Sequence, residues 1–114
     1  MPRDILFLLK PNLAEAGRIF HCPECAIIEG ILAYHPNVRY ELDVQYVDFA
    51  RPRPAVIALL GEENQGCPVL ILHREKDRVS PGIEVRAAMG NLFIAGPRDI
   101  TKFLATAYGT TFPH

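Results

Sequence analysis

The sequence lacks the features that mark several large classes of protein. It contains only three cysteines, and it has no apolar run that approaches the length of a transmembrane helix. Its N-terminal run ILFLL is too short for the apolar region of a signal peptide. A small, odd number of cysteines does not make the disulfide framework of a secreted protein. We therefore expect a cytoplasmic protein with no membrane contact.

The sequence also lacks an excess of either charge, with 12 basic against 13 acidic residues and a net charge of −1. Nucleic-acid binding is driven by clustered positive charge, so we expect no nucleic-acid partner. The composition of 49% hydrophobic and 22% charged residues is not that of a disordered chain. A chain of 114 residues fits one domain and buries about two thirds of its unfolded surface. The sequence predicts a single domain spanning residues 1–114.

Apolar runs and amphipathic stretches predict an α/β domain. The predicted strands are residues 5–9, 42–49, 69–72 and 91–95, and the predicted helices are residues 23–34, 55–60 and 100–108. The order is β-α-β-α-β-β-α. A helix joins the first two strands, which should therefore be parallel, whereas the last two should pair antiparallel. This predicts a four-stranded mixed sheet with helices on both faces.

Three segments fall outside these elements. Residues 11–21 are predicted to be a loop with a helical turn at 14–17, and Pro36 is predicted to stop the first helix. The insertion-like segment 73–90 begins with the charge cluster HREKDR, which should be solvated. Residues 110–114 form a C-terminal tail.

Two cysteines stand where the first helix begins, in the stretch CPEC at 22–25. The unpaired N–H groups and partial positive charge of a helix N-terminus stabilise a thiolate, so Cys22 is predicted to be a reactive thiolate. Pro23 suits the first helical position because its missing N–H has no helical partner to lose. Cys25 lies about one turn further, within disulfide reach. The pattern predicts that Cys22 attacks a disulfide and that Cys25 resolves the mixed disulfide.

Three interpretations of this pair stay open at the level of sequence. Redox chemistry is one, metal ligation is the second because cysteines at this spacing also suit zinc, and simple burial of two small side chains is the third. Two residues beside the cysteines should have opposite effects on the stability of a Cys22 thiolate. His21 would favour the thiolate of Cys22, whereas the carboxylate of Glu24 would oppose it.

Three segments together resemble the thioredoxin-like superfamily, nearest to glutaredoxins and the N-terminal domains of glutathione transferases. CPEC at 22–25 is similar to the glutaredoxin motif CPxC. AVIALLG at 55–61 and NQGCPVLI at 64–71 resemble the second helix and the strand preceded by a cis-proline. FIAGPRDI at 93–100 resembles the last strand and the glycine turn into the last helix. These segments cover about half of the chain, in the expected order.

The resemblance implies a thioredoxin-like fold and a thiol–disulfide oxidoreductase. Pro68 would be the cis-proline that faces the cysteine pair, and the backbone of Cys67 would pair with an extended thiol substrate. Asp99 and the N–H of Arg98 would hold the γ-glutamyl end of glutathione. The implied partner is glutathione or a protein thiol or disulfide, glutathione would act as co-substrate, and no bound cofactor would be required.

Cys67 itself has more than one interpretation. It is either a small apolar side chain or a third thiol beside Cys22 and Cys25. Three thiols, with His21 or His73 as a fourth ligand, would suit zinc or an iron–sulfur cluster. A disulfide between Cys67 and Cys22 would instead block the site. A further class of function is a non-catalytic thioredoxin-like module that binds a partner through residues 73–90.

Three charged residues near the end of the second predicted strand each have two interpretations. Asp48 is expected to be a solvated strand end, with a role as proton acceptor for Cys25 as the alternative. Arg51 and Arg53 are expected at the surface, with binding of an anionic substrate as the alternative.

Overall fold

The computed structural model describes residues 3–73 and 79–114. Seven strands and four helices lie within these residues. The strands are β1 (Ile5–Leu9), β2 (Leu13–Glu15), β3 (Arg18–Phe20), β4 (Asp43–Val47), β5 (Val69–Leu72), β6 (Arg86–Ala88) and β7 (Asn91–Ala95). The helices are α1 (Pro23–Tyr34), α2 (Pro36–Glu41), α3 (Pro54–Leu60) and α4 (Pro97–Tyr108).

The main sheet is mixed, with the strand order β4-β1-β5-β7-β6. Strands β1 and β4 pair in parallel, as expected for two strands joined through a helix. Strand β1 pairs antiparallel with β5, and β7 pairs antiparallel with both β5 and β6. The pairings of β1 with β4 and of β5 with β7 confirm the predicted directions.

Alternate residues of the central strands face two apolar cores, one on each side of the sheet. Leu6 and Leu8 of β1 contribute to the larger core, which also contains the buried sides of α1 and α4. Phe7 points to the opposite face, where it joins the core that is covered by α3. Helices therefore cover both faces of the sheet, as predicted.

The prediction of four strands is wrong in number, because the main sheet has five. The additional strand is β6, which lies in the 73–90 segment and pairs with β7 through a turn at Met89 and Gly90. Both turn residues have positive φ, 52° and 79°, as in the two-residue hairpin turns that match the twist of the strands. Residues 74–78, which make up most of the predicted charge cluster, lie outside the described residues.

Two further elements differ from the sequence prediction. Residues 11–21 form a hairpin of β2 and β3 instead of a loop with a helical turn, and the two strands pair antiparallel as a separate two-stranded sheet. Pro36 ends the first helix but also begins the short helix α2, because proline is well accommodated in the first turn of a helix.

Helix α1 presents the cysteine pair, and its packing was predicted only in part. Ile28 and Leu32 are fully buried, and Ile31 packs against the same core. The spacing of Ile27, Ile28, Ile31 and Leu32 predicts one apolar stripe, yet 53% of the surface of Ile27 is exposed. A position adjacent to a buried residue is turned by about 100° on a helix of 3.6 residues per turn, which moves Ile27 off the covered face.

Helix α4 packs into the larger core through buried apolar residues. Ile100, Phe103 and Leu104 are fully buried, and Gly109 closes α4 in the left-handed conformation with φ of 76°. The Tyr108 hydroxyl donates to the buried carboxylate of Asp4 at 2.7 Å.

No helix within the described residues is long and apolar enough to cross a bilayer.

Candidate functional site

The cysteine pair occupies the start of α1 in the predicted arrangement. Cys22 is the N-cap residue, with extended backbone angles, and Pro23 takes the first helical position. The backbone N–H of Cys25 donates to the Cys22 sulfur at 3.3 Å. The Cys22 side chain is half-buried, and all three cysteines of the chain are free thiols. A helix N–H group therefore points at a sulfur that solvent can reach.

Cys25 has a different environment, because only 3% of its surface is exposed. Its sulfur accepts a hydrogen bond from the backbone N–H of Leu9, the last residue of β1, at 3.4 Å. Burial raises the pKa of Cys25 to about 12, the hydrogen bond from Leu9 opposes this, and neighbouring Cys22 adds to the rise. Cys25 is consequently a protonated thiol at neutral pH.

Cys67 lies beside the pair and precedes β5. It packs against both apolar cores, and the Cys67–Pro68 peptide bond is cis. The Pro68 carbonyl accepts a hydrogen bond from the N–H of Gly96 at 3.1 Å, which joins this corner to the beginning of α4. Among the described residues, nothing hydrogen bonds to the backbone N–H or carbonyl of Cys67.

The thiols are close enough to influence one another. Burial is the main cause that raises the pKa of Cys67 to about 11, and the charge of Cys22 adds to it. The positive charges of Arg53 and Arg51 act in the opposite direction. The structure thus gathers Cys22, Cys25 and Cys67 in one corner. Beside them are Arg51, which is exposed as predicted, and Arg53.

Arg53 contradicts its predicted surface position, because it is 5% exposed. Its guanidinium donates to the Gln65 carbonyl at 2.8 Å and to the Phe49 carbonyl, and it lies over the Phe49 ring with its central carbon 5.5 Å from the ring centroid. These contacts form because the chain folds back from β4 into α3. The RPRP stretch alone gave no signal of burial, since arginine is usually solvated.

Three further residues predicted for the site, Arg98, Asp99 and His21, differ in their contacts. Arg98 and Asp99 lie in the first turn of α4, near Gly96, and Arg98 is exposed. The Asp99 carboxylate accepts a hydrogen bond from the N–H of Glu84 at 3.2 Å. His21 is exposed and makes no hydrogen bond or ion pair within the described part of the chain. Of these three residues, only Asp99 forms a hydrogen bond to another loop among the described residues.

Two alternatives of the sequence analysis find no geometric support. Asp48 is exposed and forms an ion pair with Lys10 at 3.2 Å, so it is the solvated residue expected and not a partner of Cys25. Across residues 3–73 and 79–114, no group of three or more His, Cys, Asp or Glu side chains is arranged to hold a metal ion. The possible fourth ligands His21 and His73 are both exposed.

Comparison with known proteins places the chain in a family. The family model described as "Protein of unknown function (DUF3088)" matches residues 3–112, so the chain belongs to that family. Neither the curated proteins nor the solved structures contain a match to this chain.

Proposed function

We propose that this member of the family is a thioredoxin-like thiol–disulfide oxidoreductase of glutaredoxin type. Cys22 is the attacking thiol, and Cys25 is the resolving thiol. The observation that carries the proposal is the hydrogen bond of 3.3 Å from the helix N–H of Cys25 to the sulfur of Cys22. A hydrogen bond from an N–H group and the partial positive charge of the helix end both favour a negatively charged sulfur.

The sheet topology supports a thioredoxin-like fold. Strands β4, β1, β5 and β7 are consecutive in the sheet, with β4 and β1 parallel and the others antiparallel. These four strands, together with α1, α3 and α4, follow the order β-α-β-α-β-β-α that the apolar and amphipathic patterns predict. On this proposal β6, α2 and the β2–β3 hairpin are additions to that common core.

The two cysteines differ in the way that a two-step exchange requires. Cys22 is accessible and accepts a hydrogen bond at its sulfur, whereas Cys25 is buried and its pKa is raised to about 12. The thiolate, not the thiol, is the nucleophile in disulfide exchange. Cys22 is therefore the cysteine that reacts first, and Cys25 stays protonated until the mixed disulfide has formed beside it.

The reaction conserves atoms and electrons. The Cys22 thiolate attacks one sulfur of a disulfide substrate, forms a mixed disulfide, and releases the other half as a thiolate that takes up a proton. Cys25 then loses its proton and attacks the Cys22 sulfur, which closes the Cys22–Cys25 disulfide and releases the second thiol. The substrate gains two electrons, which the dithiol loses. Two molecules of an external thiol, for which glutathione is our proposal, restore the dithiol.

The surroundings of Cys67 support an extended substrate. Its backbone N–H and carbonyl have no partner within the described residues, and they lie in the same corner as Cys22. A thiol peptide such as glutathione could satisfy both groups by pairing with them as an added strand would. The beginning of α4, with Arg98 and Asp99, adjoins this corner through the hydrogen bond between Gly96 and Pro68.

Trapping of the mixed disulfide tests the proposal. The Cys25→Ser variant, treated with oxidised glutathione, should carry one glutathione on Cys22 because the resolving thiol is missing. The wild-type chain should instead accumulate the Cys22–Cys25 disulfide, and Cys22→Ser should form neither product. Intact-mass and peptide-mass analysis distinguish the three outcomes. Glutathione attached to Cys67 with Cys22 unmodified would contradict the assignment of the nucleophile.

The metal content of the purified protein distinguishes the metal-binding alternative from the redox proposal. Protein purified anaerobically should have three free thiols and no stoichiometric zinc or iron if the redox proposal is correct. Stoichiometric metal that is lost in Cys67→Ser would replace the redox proposal with a site formed by Cys22, Cys25 and Cys67. A binding module without catalysis would instead keep its biological role in Cys22→Ala.

A further inference from the structure

A cavity of about 600 Å³ lies between the end of β4 and the start of α3. Its lining includes four charged residues: Lys10, Asp48, Arg51 and Arg53. Three of these come from the connection between β4 and α3, and Lys10 follows β1. Strands β1 and β4 run in parallel, so the residues that follow them meet at one edge of the sheet. The cavity is large enough for a small organic molecule and not merely for water.

The charges around this cavity do not balance. Lys10 and Asp48 neutralise each other in an ion pair of 3.2 Å, and the Asp48 carboxylate also accepts from the Asn12 amide at 3.1 Å. Arg51 and Arg53 form no ion pair with any described carboxylate. The lining thus carries two uncompensated positive charges, both of them on guanidinium groups.

Arg53 makes the imbalance significant, because a buried charge is normally paired. Its side chain is 95% removed from solvent and its nitrogens donate to backbone carbonyls, which carry no net charge. The Gln65 side-chain oxygen accepts from the backbone N–H of Arg53 at 2.8 Å, so the residue is also fixed through its main chain. Such a pre-positioned cation beside an open cavity is the arrangement expected of an anion-binding site.

We propose that this cavity binds a small molecule through a dianionic group of the phosphate or dicarboxylate type. The guanidinium fork of Arg51, which is exposed, matches the oxygens of such a group, and Arg53 adds the N–H groups that do not donate to the Phe49 and Gln65 carbonyls. The charge of −2 balances the two uncompensated arginines. The site does not depend on the redox proposal, because it requires no reaction of any thiol. Its position nevertheless brings the bound anion near the thiols, since both arginines act electrostatically on Cys67.

Titration with inorganic phosphate and with malonate, each against sodium chloride at constant ionic strength, tests the proposal. Constant ionic strength removes general screening as a cause of any change. Isothermal calorimetry gives the dissociation constant, and NMR chemical shifts of the Arg51 and Arg53 N–H groups locate the site. The tighter of the two probes identifies the source of the dianion. Saturable binding of either probe that shifts both arginines is the expected result.

Matched arginine variants complete the test. Arg51→Gln, at an exposed position, should weaken binding about tenfold, because it removes a charged hydrogen-bonding partner. Arg18→Gln, on the exposed strand β3 away from the cavity, should leave the dissociation constant unchanged. If Arg53→Met folds, it should abolish binding. If it does not fold, the dissociation constant of Arg51→Gln alone tests the proposal. Absence of binding at millimolar concentrations, or equal affinities for wild type and Arg51→Gln, would overturn the proposal.

Discussion

The last N–H group of β1, that of Leu9, donates to the sulfur of Cys25 at 3.4 Å. This contact joins β1, an interior strand of the main sheet, to the first turn of α1. It holds the buried thiol in place, while the Cys25 N–H group is directed at the Cys22 sulfur. Cys25 is therefore held by β1 through its side chain and donates a hydrogen bond to the Cys22 sulfur through its backbone.

The three thiols should differ in reactivity towards iodoacetamide. At neutral pH Cys22 should be alkylated at least about tenfold faster than Cys25 or Cys67, because burial raises the pKa of the latter two and the thiolate is the reactive form. Peptide mass spectrometry of briefly treated protein measures the three rates. In urea the rates should become similar. Modification of Cys25 before Cys22 in the folded protein would contradict the geometry described.

The stability of the fold should decrease in alkaline solution. The pKa of Cys25 is raised to about 12 in the folded protein, above the ordinary thiol value of about 8.5 in the unfolded chain. As the pH rises through this interval, the unfolded chain releases a proton that the folded protein retains, so the free energy of unfolding falls. The loss should not exceed about 1.4 kcal/mol per pH unit from this group.

Urea denaturation between pH 8 and pH 10.5 measures this effect. The Cys25→Ala variant is the control: it should be less stable at every pH, but its stability should fall less steeply with pH. The pKa of Cys67 is also raised, to about 11, so Cys67 lowers the free energy of unfolding with rising pH in both proteins. Identical slopes for the variant and the wild type would show that the Cys25 thiol is not buried in the folded protein.

Removal of the Tyr108 hydroxyl should destabilise the fold through the buried carboxylate of Asp4. Asp4 accepts from the Tyr108 hydroxyl and from the His73 N–H, each at 2.7 Å, and so links α4 to the sheet. Tyr108→Phe should cost about 1.5–3 kcal/mol, the usual contribution of a hydrogen bond to a charged group. Tyr34→Phe, at a side chain that is 77% exposed, should cost nothing measurable. Equal denaturation midpoints for the two variants would contradict this role.

Adjacent isoleucines in α1 offer a second matched pair. Ile28 is fully buried in the larger core, whereas Ile27 is 53% exposed. Ile28→Ala should therefore lower the free energy of unfolding by about 2–5 kcal/mol, the range for large aliphatic side chains cut back in a core. Ile27→Ala should lower it by less than about 1 kcal/mol. A larger effect at Ile27 would show that α1 is rotated relative to the sheet.

The main elements of the fold could be predicted because their apolar patterns are strong. ILFLL and VLIL are uninterrupted apolar runs and form the buried strands β1 and β5. The C-terminal helix was recognisable from a stripe that includes Ile100, Phe103 and Leu104, all of which are buried. Such patterns report burial directly, so they persist whatever the details of the surrounding loops.

The two hairpins could not be predicted because their turns lack the usual residue at the first turn position, although glycine follows at the second. Ala16 and Met89 have positive φ at the first turn position, where asparagine, aspartate or glycine is typical. Strands β2 and β3 are also mostly exposed, so no alternation of apolar and polar residues marked them. In both cases backbone pairing with a neighbouring strand decides the structure, and single-residue preferences do not reveal it.

The candidate site was predictable at the cysteines but not at the arginines. CPEC at the start of an apolar helix indicates a polarised thiol by its spacing alone, and Cys22 is indeed the N-cap of α1. The burial of Arg53 depends on carbonyl groups of Phe49 and Gln65 that come together only in the folded chain. A local pattern thus locates the thiols, whereas the positive charge beside them is a product of tertiary structure.

The most direct test of the redox proposal is the equilibrium between the Cys22–Cys25 dithiol and disulfide in glutathione buffers. Protein is brought to equilibrium anaerobically over a series of ratios of reduced to oxidised glutathione, from both the reduced and the oxidised state, and the thiols are then trapped and mapped by mass. We predict one reversible two-electron transition in which both thiols are lost together. Two thiols that stay free at every ratio, or that only acquire separate glutathione adducts, would contradict the proposal.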